Sequence, residues 1–352
     1  MRFPRQSVFW LALGCMAALC GSCGHSSPQK QVTVVGWGGS SQEAHRLAYW
    51  NSFARDQHTK VIEDVWHGGI GVLQAKVQAG NPSWDVVQVE AEELQMGCEE
   101  GLFERLDWLS LGGRDAYIAP AVHDCGVGAM VWSYVLAYDG SHFAQGPRNW
   151  ADFWDVRRFP GRRGMRRTPK YALEFALMAD GVEPARVYEE LRTSAGVDRA
   201  FRKLDELKPH ILWWSSISQV PDLLASGEVA MSITSPGRLL VANEREGRHF
   251  RIVWDRNIHS VDYWVILSNS VHKSESLELL RYMKSPQHEM RLPLYIPTGL
   301  SNKASIEQIE RRLKQDTPSN PDNLRNSVEL DAQFWVEHLQ SLSQRFESWV
   351  SR

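Results

Sequence analysis
The sequence predicts an α/β protein. Three consecutive strand–turn–helix units near the N-terminus carry that prediction, with a long apolar run in mid-chain. In the first unit, residues 32–37 (VTVVGW) form an apolar strand, Gly38-Gly39-Ser40-Ser41 turn the chain, and a helical pattern covers 42–53. Ser40 and Glu43 stand three residues apart at the helix start, the spacing of a capping box. The second unit has a strand at 60–66, a Gly68-Gly69-Ile70-Gly71 turn and a helix to Ala79. The third has a strand at 85–90 and a helix from Ala91. Such alternation implies a parallel sheet with helices on both faces. Turns that lead from a strand into a helix present backbone N–H groups and side chains to ligands.

Residues 126–138 (GVGAMVWSYVLAY) are apolar and rich in β-formers, so they predict a strand extended enough to cross between lobes. Helices are expected at 172–179, ended by Gly181, at 197–207, ended by Pro209, and at 220–225. Strands are expected at 211–214, 228–234, 252–254 and 261–267. The remainder is mostly helical, at 274–284, 305–314 and 331–349. The sequence contains no internal repeat and no low-complexity tract.

A length of 352 residues suits two domains or one large one. With 43% hydrophobic and 23% charged residues, the chain has a globular composition and enough apolar side chains for a sizeable core. Lys and Arg number 39 against 42 Asp and Glu, which excludes the basic footprint of a nucleic-acid binder. Tryptophan is the outlier at 15 residues. Indole joins an apolar face to a polar edge, which suits binding surfaces as well as cores.

Residues 1–23 read as an export signal. Arg2 and Arg5 form a positive start, an apolar stretch runs from Ser7 to Cys20, and no acid occurs before Glu43. Gly21-Ser22-Cys23 resembles the end of a lipobox, with Leu19 displaced by one position, so lipidation at Cys23 and plain periplasmic release both remain open. Loss of this segment removes two arginines and lowers the formal charge from -3 to -5. It also removes three of the five cysteines and leaves Cys98 and Cys125. An even pair in an oxidising compartment points to one disulfide, against two buried thiols. Neither cysteine has a second Cys or a His at metal-ligand spacing, so no metal site is expected.

Catalytic signatures are absent from the sequence. It holds no G-x-S-x-G, no H-E-x-x-H, no Walker A and no full G-x-G-x-x-G. His45, His58 and His67 show no zinc-like clustering. A binding protein without enzymatic activity or cofactor is expected, with an exported enzyme of dispersed catalytic residues as the alternative.

Five segments carry a family resemblance. Asn149-Trp150-Ala151-Asp152-Phe153-Trp154 and Phe159-Pro160-Gly161-Arg162-Arg163-Gly164 come first. Residues 173–182 (LEFALMADGV), 224–231 (LASGEVAM) and 261–266 (VDYWVI) follow in order. Together they resemble the solute-binding proteins of bacterial ABC importers, in the spermidine/putrescine-binding branch. The resemblance spans about 32–301. It implies a two-lobed periplasmic binding protein fold (type II) with hinge strands and the ligand in the cleft. Lobe one would comprise 31–134 with 268–352, and lobe two 135–267. It further implies a monomer in the periplasm that hands its ligand to an inner-membrane permease.

A linear polyamine needs carboxylates at its ammonium ends and aromatic faces along its stem. The resemblance and the element ends together nominate Trp37, Ser40, Glu90, Glu92, Glu174, Trp214, Ser216, Ser235 and Asp262 as ligand contacts. Trp37 and Asp262 resemble the family's cleft aromatic and its amine-binding carboxylate, and Glu174 matches a family carboxylate. Trp213 and Trp214 point opposite ways on a strand, so at most one faces ligand. Three positions depart from the branch: Ser235, Ser260 and Ile296 stand where aromatics are common. Arg238 would bring positive charge close. These departures keep a second ligand class open, an amino-acid derivative or an anion gripped by Arg238.

Overall fold
The computed structural model describes residues 29–80 and 83–352. The export segment and Cys23 lie outside the described residues. Ten strands form one sheet: β1 (Gln31–Gly36), β2 (Lys60–Val65), β3 (Val86–Val89), β4 (Val122–His123), β5 (Gly126–Asp139), β6 (Arg163–Arg166), β7 (Ile211–Trp214), β8 (Met231–Thr234), β9 (Phe250–Ile266) and β10 (Val328–Glu329). The order is β2-β1-β3-β9-β5-β8-β6-β7, with β4 on β5 and β10 on β9. β1 and β3 are buried almost throughout, as strands covered on both faces must be. β2 closes one edge and carries Glu63 and Asp64, charges that discourage edge-to-edge pairing.

The sheet is mixed, not wholly parallel as the β–α alternation implied. β1 pairs parallel with β2 and β3, and β6 with β7 and β8, while β9 pairs antiparallel with β3 and β5. The predicted strands at 252–254 and 261–267 are one 17-residue strand, β9. Polar residues between the two apolar runs hid their continuity.

β5 and β9 create the two-lobed shape. At about 3.3 Å per residue, the 14 residues of β5 reach about 46 Å, longer than one lobe needs. The two strands pair from Val127–Trp264 to Asp139–Phe250, with irregularities at Gly128/Met130 and Tyr134/Leu136. One hydrophobic core draws on residues 32–131 and 261–296, joined by Val241. The other draws on 132–258 and 328–349. The crossing from one core to the other thus falls at Val131/Trp132 on β5 and between Ile258 and Val261 on β9, where Met130 faces Asp262 and Trp132 faces Ser260.

The closing helix, Ala332–Val350, buries Phe334, Trp335, Leu342, Phe346 and Trp349 in the second core. By packing, residues 328–350 therefore group with lobe two, whereas the sequence placed them with lobe one. An apolar stripe shows that a helix has a buried side but does not name its partner.

Two sequence motifs find local explanations. In the Phe159–Gly164 segment, Arg163 is fully buried, and its guanidinium donates to the carbonyls of Phe153, Gly161 and Phe159 at 2.7, 2.6 and 2.6 Å. It thereby satisfies a turn that would otherwise bury bare carbonyl oxygens. Cys98 and Cys125 are joined as a disulfide with Cα atoms 5.8 Å apart. His123 lies beside the bridge, its ring nitrogen and both sulfurs within 4.8 Å of one another. The disulfide consumes both thiolates, which leaves a metal no sulfur ligand there.

Candidate ligand-binding cleft
The two lobes face each other across a cleft of about 770 Å³, counting its open mouth. Lobe one supplies Trp37 and Ser41 after β1, Trp66 after β2 and Glu90 after β3. The hinge strands supply Trp132, Ser133, Tyr134 and Asp262. Lobe two supplies Arg166, Trp214, Ser216, Ser235 and Arg238.

Of the nine nominated residues, six line the cleft: Trp37, Glu90, Trp214, Ser216, Ser235 and Asp262. Ser40 does not; its neighbour Ser41 does. The first helix begins at Gly39 with Gly38 as N-cap and no side-chain cap, so the expected Ser40–Glu43 box does not form. Gly38 and Gly39, at φ 65° and 58°, turn the chain earlier than the apolar pattern suggested. A capping box does form in the third unit, between Glu90 and Glu93 at the helix Ala91–Glu99.

Glu174 lies away from the cleft. It is buried in the second core, where its Oε1 accepts from Tyr188 Oη and Trp335 Nε1, both at 2.9 Å. Burial raises its carboxyl to about 7. Glu92 is buried behind the cleft wall and is absent from the lining. Its Oε1 accepts from Lys170, which also donates to Glu90. The family resemblance nominates Glu174 and the end of the third strand nominates Glu92, but tertiary packing gives both other partners.

Aromatic side chains form much of the wall. Trp37 stacks on Trp66 with ring centroids 5.3 Å apart and 16° between planes. Tyr134 lies 5.2 Å from Trp132 and 6.5 Å from Trp214, centroid to centroid. Trp214 is the buried member of the Trp213–Trp214 pair, and Trp213 packs against Phe346 and Trp349 instead. Trp66, Trp132 and Tyr134 went unnominated, although all three lie in or next to predicted strands.

Charge is distributed on both sides of neutral. Asp262 is buried, and its Oδ2 accepts from Trp37 Nε1 at 2.7 Å and Gln88 Nε2 at 2.9 Å. Its Oδ1 has no hydrogen-bond partner. Burial, reinforced by the Glu90 charge, pushes this carboxyl well above the usual range. Glu90 behaves oppositely. Burial works against its charge, but Lys170 and Arg166 outweigh it and hold Glu90 at about 2. Glu93, behind the lining, is raised to about 7 by burial and by the Glu90 and Glu92 charges.

Arg238 is buried and spans the cleft. It donates to the carbonyls of Gly38 at 2.9 Å and Trp37 at 3.3 Å, and burial lowers it to about 10. Gly39 makes this approach feasible, since a Cβ there would lie 2.6 Å from the guanidinium. Arg238 has no carboxylate in ion-pair contact among the described residues. Arg166 joins the lobes a second time, donating to Glu90 at 3.3 Å and to the His67 carbonyl at 2.8 Å. Ser41 Oγ, Ser133 Oγ and Trp214 Nε1 also line the cleft without hydrogen-bond partners. Buried polar atoms without partners are costly, and these belong to residues of one cleft.

A cleft between two lobes on hinge strands, lined by aromatics and unpartnered polar atoms, defines a protein that closes around a small solute. The chain belongs to the bacterial extracellular solute-binding proteins, whose family model matches residues 53–305. Such proteins deliver small molecules to the permease of an ABC importer and are not enzymes. The chain is 38% identical to the gamma-aminobutyric acid-binding protein of Pseudomonas aeruginosa over 350 residues, 99% of this chain and 97% of that one. Among solved structures, the binding protein MotA of A. tumefaciens B6 in complex with glucopine has a TM-score of 0.85 at 26% identity, covering 91% of this chain and 99% of that one. The Atu4243–GABA receptor has a TM-score of 0.78 at 27% identity, covering 91% and 98%. The family is thus the expected one, a solute-binding protein of an ABC importer. Among the described residues, no helix is long and apolar enough to cross a membrane.

Proposed function
We propose that this protein captures a small zwitterionic amino acid, with γ-aminobutyrate as the first ligand to test, and delivers it to an ABC permease. One observation supports this reading above the others. The same cleft holds a carboxylate with an unpartnered oxygen, Asp262, and a buried guanidinium without an acidic partner, Arg238. A ligand with an ammonium at one end and a carboxylate at the other complements both. In this reading Asp262 takes the ammonium, Arg238 and Trp214 Nε1 take the carboxylate, and Trp37, Trp132 and Tyr134 enclose the methylenes. Ser41, Ser133, Ser216 and Ser235 supply shorter hydrogen bonds. The named γ-aminobutyrate binders among the relatives agree with it.

The polyamine expectation fits less well. Glu90 and Glu92 already hold Lys170, and Arg166 adds a second positive charge at Glu90. Arg238 would repel a polycation, and Ser235, Ser260 and Ile296 remove three aromatic walls. The rest of the reading follows the family: a monomer in the periplasm, either free or anchored through Cys23, with lobes meeting near residues 131–134 and 258–262. Calorimetric titration with γ-aminobutyrate, putrescine and spermidine tests it. Binding of γ-aminobutyrate alone supports the zwitterion. Binding of putrescine without γ-aminobutyrate returns the polyamine.

A further inference from the structure
Lys170 is a buried cation behind the cleft wall that no ligand role explains. It sits at the start of the helix Pro169–Ala179 on lobe two and is buried to 5% exposure. Its ammonium reaches across to lobe one and lies between two carboxylates, Glu90 and Glu92. The backbone is bent to allow this. Lys170 is extended at ψ 132°, and Tyr171 takes φ 74°, a left-handed value that a bulky side chain adopts only under constraint. Tyr171 Oη then donates to Glu90 at 2.8 Å, and its ring lies 5.1 Å from the Lys170 ammonium.

Two carboxylates and an aromatic face are the components of an amine-binding subsite. Here the amine is covalently attached. A small cavity of about 190 Å³ touches Lys170 and Tyr171, and it shares Tyr134, Arg166 and Trp214 with the main cleft. The Lys170 side chain therefore lies behind the wall of the ligand space, separated from it by residues that line both cavities.

We propose that Lys170 is a tethered ammonium that occupies a second cation subsite, so that the protein accepts ligands with one ammonium and rejects diamines. The inference rests on the zwitterion reading for its first ligand, but its own content is the exclusion of a second positive charge. Shortening Lys170 leaves Glu92 without a cation and Glu90 with Arg166 alone, a buried pair of acids short of one positive charge. That pair then attracts a free ammonium, and a diamine satisfies it while its other end reaches Asp262.

The test compares the full chain with Lys170→Ala and Lys170→Met by calorimetric titration with γ-aminobutyrate and putrescine. The wild type is expected to reject putrescine. Both variants are expected to bind putrescine at least about tenfold more tightly than the wild type. Adding ethylammonium to Lys170→Ala should refill the subsite and weaken putrescine binding again, which a merely structural lysine would not produce. Variants that fold, by cooperative melting, yet reject putrescine as the wild type does overturn the proposal. Where Lys170→Ala does not fold, Lys170→Met, which keeps the aliphatic stem, decides, and putrescine bound by the wild type as tightly as any monoamine overturns the proposal outright. A wild type that ignores γ-aminobutyrate, beside variants that gain putrescine, removes the proposed ligand and leaves the role of Lys170 standing.

Discussion
The indole nitrogen of Trp37 donates to Oδ2 of Asp262 at 2.7 Å, joining the end of β1 to a hinge strand 225 residues later. Gln88 donates to the same oxygen. Both donors bond Oδ2, and Oδ1 is buried without a hydrogen-bond partner. The cleft's aromatic stack thereby orients its acid.

Asp262→Asn should weaken binding of an ammonium-bearing ligand at least about tenfold, because removing one member of a desolvated pair costs about 2–5 kcal/mol. The unliganded protein should melt higher at neutral pH, since the variant no longer buries a carboxyl whose folded-state value is raised. Titration calorimetry and thermal melting read the two effects. Unchanged affinity would make Asp262 purely structural.

The raised carboxyl of Asp262 also sets the pH dependence of binding. An arriving ammonium favours the ionised form, so ligand binding expels a proton where Asp262 is still protonated, and affinity rises with pH until the free protein has ionised. Calorimetry in two buffers of different ionisation heat counts that proton. No release anywhere between pH 5 and 8 (roughly the stable range for most folds) would contradict this assignment.

Arg238→Met should cost a zwitterionic ligand at least about tenfold in affinity while sparing any cationic one, since it removes the charge opposite Asp262 without an acid to strand. It also removes the contacts to Gly38 and Trp37 that hold the lobes together. Equal losses for γ-aminobutyrate and its decarboxylated analogue would show that Arg238 serves closure alone.

Glu174 predicts a pH effect on stability, remote from ligand. Its folded value of about 7 exceeds the ordinary 4.5, so the folded state holds the proton more tightly. Stability contributed by the neutral acid is present below about pH 4.5 and is lost as pH rises towards 7, a swing of about 3 kcal/mol at 1.36 kcal/mol per unit. Glu174→Gln should therefore melt above the wild type at pH 8, with the gap closing by pH 5. A gap that does not depend on pH would refute this.

Reduction of the Cys98–Cys125 bridge should destabilise lobe one by roughly 3–4 kcal/mol, the chain-entropy value for its 27-residue separation. Melting with and without reductant, beside Cys98→Ser, measures it. Two alkylatable cysteines in the unreduced protein would exclude the bridge.

Much of this protein was legible in one dimension because its physics is local. Strand runs at 32–36 and 86–89 announce themselves by their valines, and the glycines at 38 and 39 announce a turn. Asp262 stood out as a lone acid within an apolar strand, where an ion must have a purpose. What the tertiary structure alone decided was partnership. Glu174 and Glu90 both lie at helix starts or within helices among apolar neighbours, yet packing sends one to Tyr188 and Trp335 in a core and the other to the cleft. Lys170 lies 80 residues from Glu90, and Arg238 lies 200 residues from Gly38. Both contacts form where the two lobes meet, and no periodicity along the chain encodes which charges will then face each other.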